Sequence, residues 1–552
     1  MKKLLSFVLS LVMVVSALPL TVSAGSDYFT IKDFYPVVDA NKEVTLRVVV
    51  YQSADQADAS EIWFWKWLKE VCNINVEVEQ YSNRAEIKNL MFGTGELPDL
   101  ILNMAVNTRE IVNYGVEEEM LLKIDEYMEE YMPNLYAIYQ KHPEYQKNML
   151  APDGHQYSLG NLGDKINYSK LSRVFINQTW LKEANLETPK TLDEFIDMLR
   201  VFKQREDCEV PMGGGFDAIS PGLAILTALG YVTTQPNGGS VCLRNGKVVL
   251  PYGDREIYGE YLKIMNTLYT EELISHDYYT LETPQVRAIA ANNATGILAE
   301  TPYLSSPETF TNWWSMLPLT SAWNDTPVWP DNAHYLSSGI FCIGANTEYP
   351  ELCCALGDML FNETGIIYWL LGPQKDSEDL LDFMGGWIVD ESGNYDFVDL
   401  HTDTTGMYGN SGYTYRMKKV GALTGYICGI TGENIARRMC EMASIEYKGF
   451  TEWDMTHPDH HYQASLEENV GPYLTEQFPP IVFFDMDTAA RITELNTLIG
   501  DYWKAESANF ITGRRSLTDE ELNKYFDQLD SLGFQELLSY YVDYYEDYQA
   551  TK

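Results

Sequence analysis

Residues 44–103 switch repeatedly between two hydrophobic periods, and that alternation restricts the fold more than any other feature of the chain. VTLRVVVY (44–51) is a β-branched run of strand type, EIWFWKWLKEV (61–71) is helical and rich in aromatics, and INVEVEQY (74–81) alternates as a half-buried strand does. A second helix, over 84–92, ends at Gly93 or Gly95, and PDLILN supplies a third strand. Strands separated by helices are joined by crossovers, so an α/β unit with a largely parallel sheet is expected. The glycines of MFGTGELPDLILN (91–103) do not form a phosphate loop. Such a loop follows a strand and opens a helix, whereas here Gly93 and Gly95 close a helix, Pro98 blocks its continuation and the strand comes afterwards.

One such unit cannot account for 552 residues, because a single core stops growing well below that size. The first 24 residues are to be set aside: Lys2 and Lys3, the apolar run 4–20 and the small residues Val22, Ser23 and Ala24 form a secretory signal cleaved after Ala24. The remaining 528 residues call for two lobes or more. A second lobe is expected beyond the Asp153-Gly154 turn, where RVFINQTWL (173–181) leads to a capping box at Thr191 and Glu194. Leu192, Phe195, Ile196, Leu199 and Phe202 then share one helical face. TGILAE (295–300) and SGIFCIGA (338–345) read as further strands, and two amphipathic helices close the chain, the first capped by Thr518 and Glu521. Residues 373–477 show weak periodicity and many aromatics, which suits an elaborated insertion.

Charge and cysteine usage exclude several classes. With 39 basic and 80 acidic residues the net charge is -41, and -43 once Lys2 and Lys3 leave with the signal. Such a field repels nucleic acid and leaves neutral or cationic small ligands. The eight cysteines (Cys72, Cys208, Cys242, Cys342, Cys353, Cys354, Cys428 and Cys440) contain no C-x-x-C pair. Buried thiols are the plain reading, with one or two disulfides left open.

Clusters with chemical potential have plainer alternatives. GGGF (213–216) lacks the lysine and glycine spacing of a phosphate cradle and suits a turn beside a cleft. THPDHHY (456–462) holds His457, His460 and His461, which with Asp459 could bind a transition metal, but a solvated loop is the expectation. Neither HEXXH nor G-x-S-x-G occurs. Asp485 and Asp487 in DMD could form a carboxylate pair or cap the helix that follows. The 12 Trp, 38 Tyr and 21 Phe suit a cleft for a neutral sugar, whose C–H faces stack on rings, although core packing is the default for any single ring.

Four stretches together resemble the bacterial extracellular solute-binding proteins of ABC importers, carbohydrate type (family 1). They are GTGELPDLI, FINQTWLKEANLETPKTLDEFIDMLRVFK (175–203), ATGILAETPY (294–303) and NFITGRRSLTDEELNKYFDQLDSLGFQELL (509–538). The last is similar to the usually lipid-anchored subfamily, but the lipobox cysteine is missing, and 373–477 shows no match.

The resemblance implies an α/β, two-lobed, periplasmic-binding-protein-like (type II) fold with three inter-lobe crossings. The first lobe would comprise 27–172 and 337–477, with the insertion over 373–477, and the second 173–336 and 478–552. Carried over motif by motif, it implicates Ser53 and Asp55 after the first strand, Asn103 after the third, Phe216 and Asp217 after Gly215, Tyr303 in the Thr-Pro-Tyr turn, and Phe484 and Asp485 at the last crossing. Trp453 is added from within the insertion. The implied function is capture of a carbohydrate, an oligosaccharide in size, and its delivery to the membrane permease subunits of an ABC importer. The protein is expected to be a secreted monomer at the outer face of the cell envelope, with no catalytic residue, cofactor, metal or nucleic-acid partner. A secreted carbohydrate-active enzyme with a cleft carboxylate pair, or a binder of peptides or other solutes, are the alternatives.

Overall fold

The computed structural model describes residues 27–53, 56–162, 168, 171–332, 336–383, 385–400, 412–423, 432–449, 455–456 and 458–550. The alternating stretch folds as β1 (Thr45–Tyr51), α1 (Trp63–Glu70), β2 (Asn75–Tyr81), α2 (Arg84–Thr94) and β3 (Leu100–Leu102), and β4 (Ser158–Leu159) follows. Next come β5 (Phe175–Asn177), α3 (Leu192–Phe202), β6 (Val210–Met212), β7 (Thr295–Leu298) and β8 (Trp313–Ser315). The chain continues as β9 (Phe341–Ile343), α4 (Pro350–Asp358) and α5 (Glu363–Leu371), and ends in α6 (Pro458–Asn469), α7 (Met486–Ile511), α8 (Asp519–Ser531) and α9 (Phe534–Ala550). Further helices and strands lie between these.

Two sheets organise the molecule, with strand orders β2-β1-β3-β9-β4 and β8-β5-β7-β6. In the first, β1 runs parallel to β2 from Thr45↔Asn75 to Tyr51↔Tyr81 and parallel to β3 at Val48↔Leu100. β9 enters antiparallel to both β3 and β4. In the second, β7 is parallel to β6 but antiparallel to β5, and β8 is antiparallel to β5. The largely parallel sheet expected from 44–103 is therefore a parallel β2-β1-β3 group inside a mixed sheet. β9 returns from the far part of the chain without a crossover helix, so nothing forces it parallel.

Each sheet has its own core, assembled from segments distant in sequence. The first core joins Phe29–Leu162 positions to Phe341, Trp369, Trp387 and Met439. In it the aromatic face of α1 buries Trp63, Phe64 and Trp67, and Phe64 stacks on Trp369 with ring centroids 4.0 Å apart. Full burial of rings like these contributes roughly 2–3 kcal/mol each. The second core joins positions from Leu171 to Trp329 with others from Tyr462 to Leu537. The expected α3 stripe is buried there, and the capping box is present, with Thr191 Oγ1 accepting from Glu194 N at 3.2 Å.

The insertion contributes to the first core through a hairpin, Trp387–Val389 paired with Tyr395–Phe397, and through Val420 and Cys440. At its far end Tyr462 and Leu466 of α6, and Val470 just after it, pack in the second core. The seven described cysteines are free, and all but Cys208 are buried. Burial pushes the Cys342 thiol up to about 12, so it stays protonated and unreactive. Among the described residues no helix is long and apolar enough to cross a membrane.

Candidate functional site

An α/β sheet presents its ligand site at the carboxyl ends of its parallel strands. In the first sheet those ends are Tyr51 of β1, Tyr81 of β2 and Leu102 of β3. Asn103 follows β3 with φ +55°, a left-handed conformation that asparagine tolerates better than most residues. Its N–H donates to Ile340 O at 2.7 Å, its carbonyl accepts from Arg84 Nε at 2.7 Å, and the residue is 9% exposed. The Arg84 guanidinium lies over the Tyr51 ring, 3.4 Å from its centroid. Arg84, at the first turn of α2, thus ties together the ends of β1 and β3.

The turn after β1 is fastened by three glutamines. Gln52 Nε2 donates to Gln56 O and Ala57 O, and Gln80 Nε2 donates to Ala57 O while its Oε1 accepts from Ala59 N at 2.6 Å. Gln56 reaches the insertion, where its Nε2 donates to Gly421 O and Ala422 O, each at 3.3 Å. Ser53 Oγ and Gln56 Oε1 are buried and have no hydrogen-bond partner among the described residues. A buried unsatisfied polar atom costs about 1–3 kcal/mol, so two within one turn call for a reason. Asp55 lies outside the described residues.

In the second sheet β6 runs into Gly213, Gly214 and Gly215. A side chain at Gly214 would meet Ile219 O at 2.5 Å with φ at +133°, so tight packing accounts for that glycine. Phe216 is only 7% exposed, with its ring 5.2 Å from Tyr279 and 6.1 Å from Trp503. It plugs the second core. Asp217 beside it is exposed and accepts from Asn237 Nδ2 at 3.4 Å. β7 runs into Glu300, Thr301, Pro302 and Tyr303. Tyr303 is half-buried, 6.1 Å from the Tyr462 ring of α6, and the Arg173 guanidinium lies 5.6 Å from the same ring and donates to Thr301 Oγ1. Burial raises the Glu300 carboxyl, but hydrogen bonds from Arg287 and Ser305 outweigh it and hold the group below its usual range. A cavity of about 720 Å³ lined by Leu498, Tyr502, Arg515 and Lys524 lies between α7 and α8, away from these strand ends.

No family model matches the chain. It is 34% identical over 164 residues to the fructooligosaccharide ABC transporter substrate-binding protein FusA of Streptococcus pneumoniae, a match covering 29% of this chain and 30% of that protein. It is 22% identical over 222 residues to lipoprotein LipO of Bacillus subtilis, covering 39% and 41%. These sequence matches span less than half of either relative. In three dimensions the likeness extends over 92% of this chain. The structure of FusA in complex with kestose aligns with TM-score 0.68 and 20% identity over 100% of its length, and an extracellular solute-binding protein from Bifidobacterium longum subsp. infantis with TM-score 0.73 and 19% identity over 99%. The chain shares the fold of these solute-binding proteins.

Within this fold the residues named from sequence fall into three groups. Ser53 and Asn103 stand at strand ends of the first sheet, and Asp217 and Tyr303 follow strands of the second. Phe216, Phe484 and Asp485 are engaged elsewhere. The Phe484 ring packs on Tyr541 and Tyr544 of α9, 5.7 and 5.8 Å away. Asp485 caps α7, accepting from Thr488 N at 3.0 Å and from Thr488 Oγ1 at 2.7 Å, and these bonds hold its carboxyl below the usual range. A glycosidase acid needs the opposite shift, and Asp485 acts here as the cap of α7. Trp453 lies outside the described residues.

The histidine segment was expected as a solvated loop. His457 is outside the described residues, but 458–469 is helix α6 and His461 is 6% exposed, with Nε2 at 3.0 Å from Trp313 O. The helix packs on β8, which is what buries the ring. Among the described residues no group of three or more His, Cys, Asp or Glu is placed to hold a metal. Arg84, Arg173, Gln56 and Tyr462 were missed. The signal for Arg84 was its place just after a strand end, which charge counting alone does not single out.

Proposed function

We propose that the protein captures an oligosaccharide in a cleft between its two lobes and delivers it unchanged to the membrane permease of an ABC importer. The observation that carries this reading is the pair of independent cores, each ending its sheet in ring-and-guanidinium groups: Arg84 on Tyr51 in one lobe, and Arg173 beside Tyr462 and Tyr303 in the other. Rings stack on sugar faces, and guanidinium edges and amides meet hydroxyls. FusA, which is similar in both sequence and fold, is a fructooligosaccharide-binding protein and has been seen with kestose.

On this reading the chain passes between the cores three times, as the resemblance implies. Backbone pairing joins distant parts of the chain at Leu162↔Leu336 and Trp329↔Leu474. Arg109 Nη1 of the first lobe donates to Thr493 Oγ1 of α7 in the second, at 3.1 Å. Closure by hinge motion about such passages is the working cycle this reading assigns. The protein acts outside the cell, as a monomer, after loss of residues 1–24.

Thermal melts with a glycan panel that includes kestose and fructo-nystose, read beside an assay for released reducing ends, test the reading. A ligand that binds only the folded state raises the melting temperature. Stabilisation by a glycan without new reducing ends is expected. Stabilisation by peptides alone, or turnover, would overturn it.

A further inference from the structure

The turn that follows β1 contains a feature that packing does not explain. Gln56 is 6% exposed, and both hydrogens of its amide are directed at backbone carbonyls of the insertion, Gly421 O and Ala422 O. Ala57 N–H, next to it, donates to Met417 O at 3.2 Å. These contacts fix the amide orientation, because a flipped amide would set its oxygen against two carbonyl oxygens. The carbonyl end, Oε1, is left without a donor among the described residues. Ser53, whose carbonyl accepts from Gln56 N–H at 3.1 Å, has its own Oγ buried and equally unpartnered. An acceptor and a hydroxyl thus belong to two residues joined by a backbone hydrogen bond at the carboxyl end of a parallel strand, where such a sheet presents ligand. The chemical group that satisfies both is a pair of neighbouring hydroxyls. One donates to the acceptor, and the other exchanges a hydrogen bond with Ser53.

We propose that Gln56 is a specificity-determining residue, which with Ser53 Oγ takes up two adjacent hydroxyls of one sugar residue, and that segment 416–422 of the insertion holds the amide in place to do so. The inference rests on the carbohydrate reading and adds to it. It gives the insertion a part in ligand selection, through backbone carbonyls that never touch the sugar.

The sign of the effect on the ligand-free protein separates this role from a structural one. Removing a buried unpartnered hydroxyl leaves the empty protein unharmed, whereas removing a hydroxyl that supports the fold destabilises it. Ser53→Ala is expected to keep or raise the ligand-free melting temperature and to weaken kestose binding about tenfold by calorimetry. Gln56→Met, which also strips the donors from Gly421 O and Ala422 O, is expected to weaken binding at least as much and to lower the ligand-free melt. Affinity for kestose within twofold of wild type in Ser53→Ala, or a fall in its ligand-free melt with affinity retained, would overturn the inference while leaving the carbohydrate reading intact. A wild-type protein that binds neither kestose nor any glycan of the panel would overturn both.

Discussion

Asp358, at the end of α4, gives a pH dependence whose sign opposes that of most carboxylates. The residue is 4% exposed in the first core, and it serves the N-terminus of the helix Pro133–Lys141. Oδ1 accepts from Leu135 N at 2.9 Å, and Oδ2 accepts from Asn134 Nδ2 at 2.6 Å and Asn134 N at 3.2 Å. Burial raises its pKa, the three donors lower it, and burial prevails, leaving the group at about 6 against 3.8 for a free aspartate. The native state therefore holds this proton more tightly than the unfolded chain. The stability it provides is fully present below about pH 4 and is lost as pH rises through about 6. A shift of about two pH units corresponds to about 3 kcal/mol across that window.

Other carboxylates titrate nearby, so the informative quantity is a difference. Asp358→Asn retains an acceptor for Leu135 N but turns an amide toward Asn134, so the variant starts out less stable at acid pH. Urea denaturation of both proteins between about pH 4 and pH 7 is expected to show the variant gaining on wild type by up to about 3 kcal/mol, with no further gain above the folded-state pKa. A difference that is flat, or that moves toward wild type as pH rises, would mean that the three donors outweigh burial and would refute the reasoning.

Three substitutions extend the account. Arg84→Ala removes the donor to Asn103 O and the cation over Tyr51, and is expected to weaken kestose binding at least tenfold, about 1.4 kcal/mol, by calorimetry; unchanged affinity would take Arg84 out of the site. Phe216→Ala is expected to cost about 3 kcal/mol in denaturant unfolding, because the ring is a plug among Tyr278, Tyr279 and Trp503, and a near-neutral result would mean the ring is dispensable to that core. Gly296→Ala in β7 would set a methyl 2.2 Å from the buried Phe202 ring, and a loss of about 1–3 kcal/mol is expected from the same measurement.

What could be read from the sequence followed local physics. The β1-α1-β2-α2-β3 order was legible because each element carries its own period, and the α3 start because Thr191 and Glu194 satisfy helix N–H groups within a few residues. β9 was legible as a strand, but its antiparallel partners were not, since its neighbours are fixed by where the chain returns. The α6 helix was hidden by histidines and by a hydrophobic face too sparse to show a period. Site residues were harder for a related reason: composition shows that Phe216 and Phe484 are aromatic, while only packing shows that both are turned into cores. Asn103 could be placed from the end of its strand. Gln56 could not, because its partners lie more than 360 residues away, at Gly421 and Ala422.

The central claim is reversible capture of a sugar, and calorimetric titration of the purified protein with kestose and fructo-nystose, followed by an assay for new reducing ends, tests it most directly. The account predicts saturable binding at one site per chain with the glycan recovered intact. No binding to any glycan together with binding to peptides, or release of reducing ends that Asp485→Asn abolishes, would contradict it.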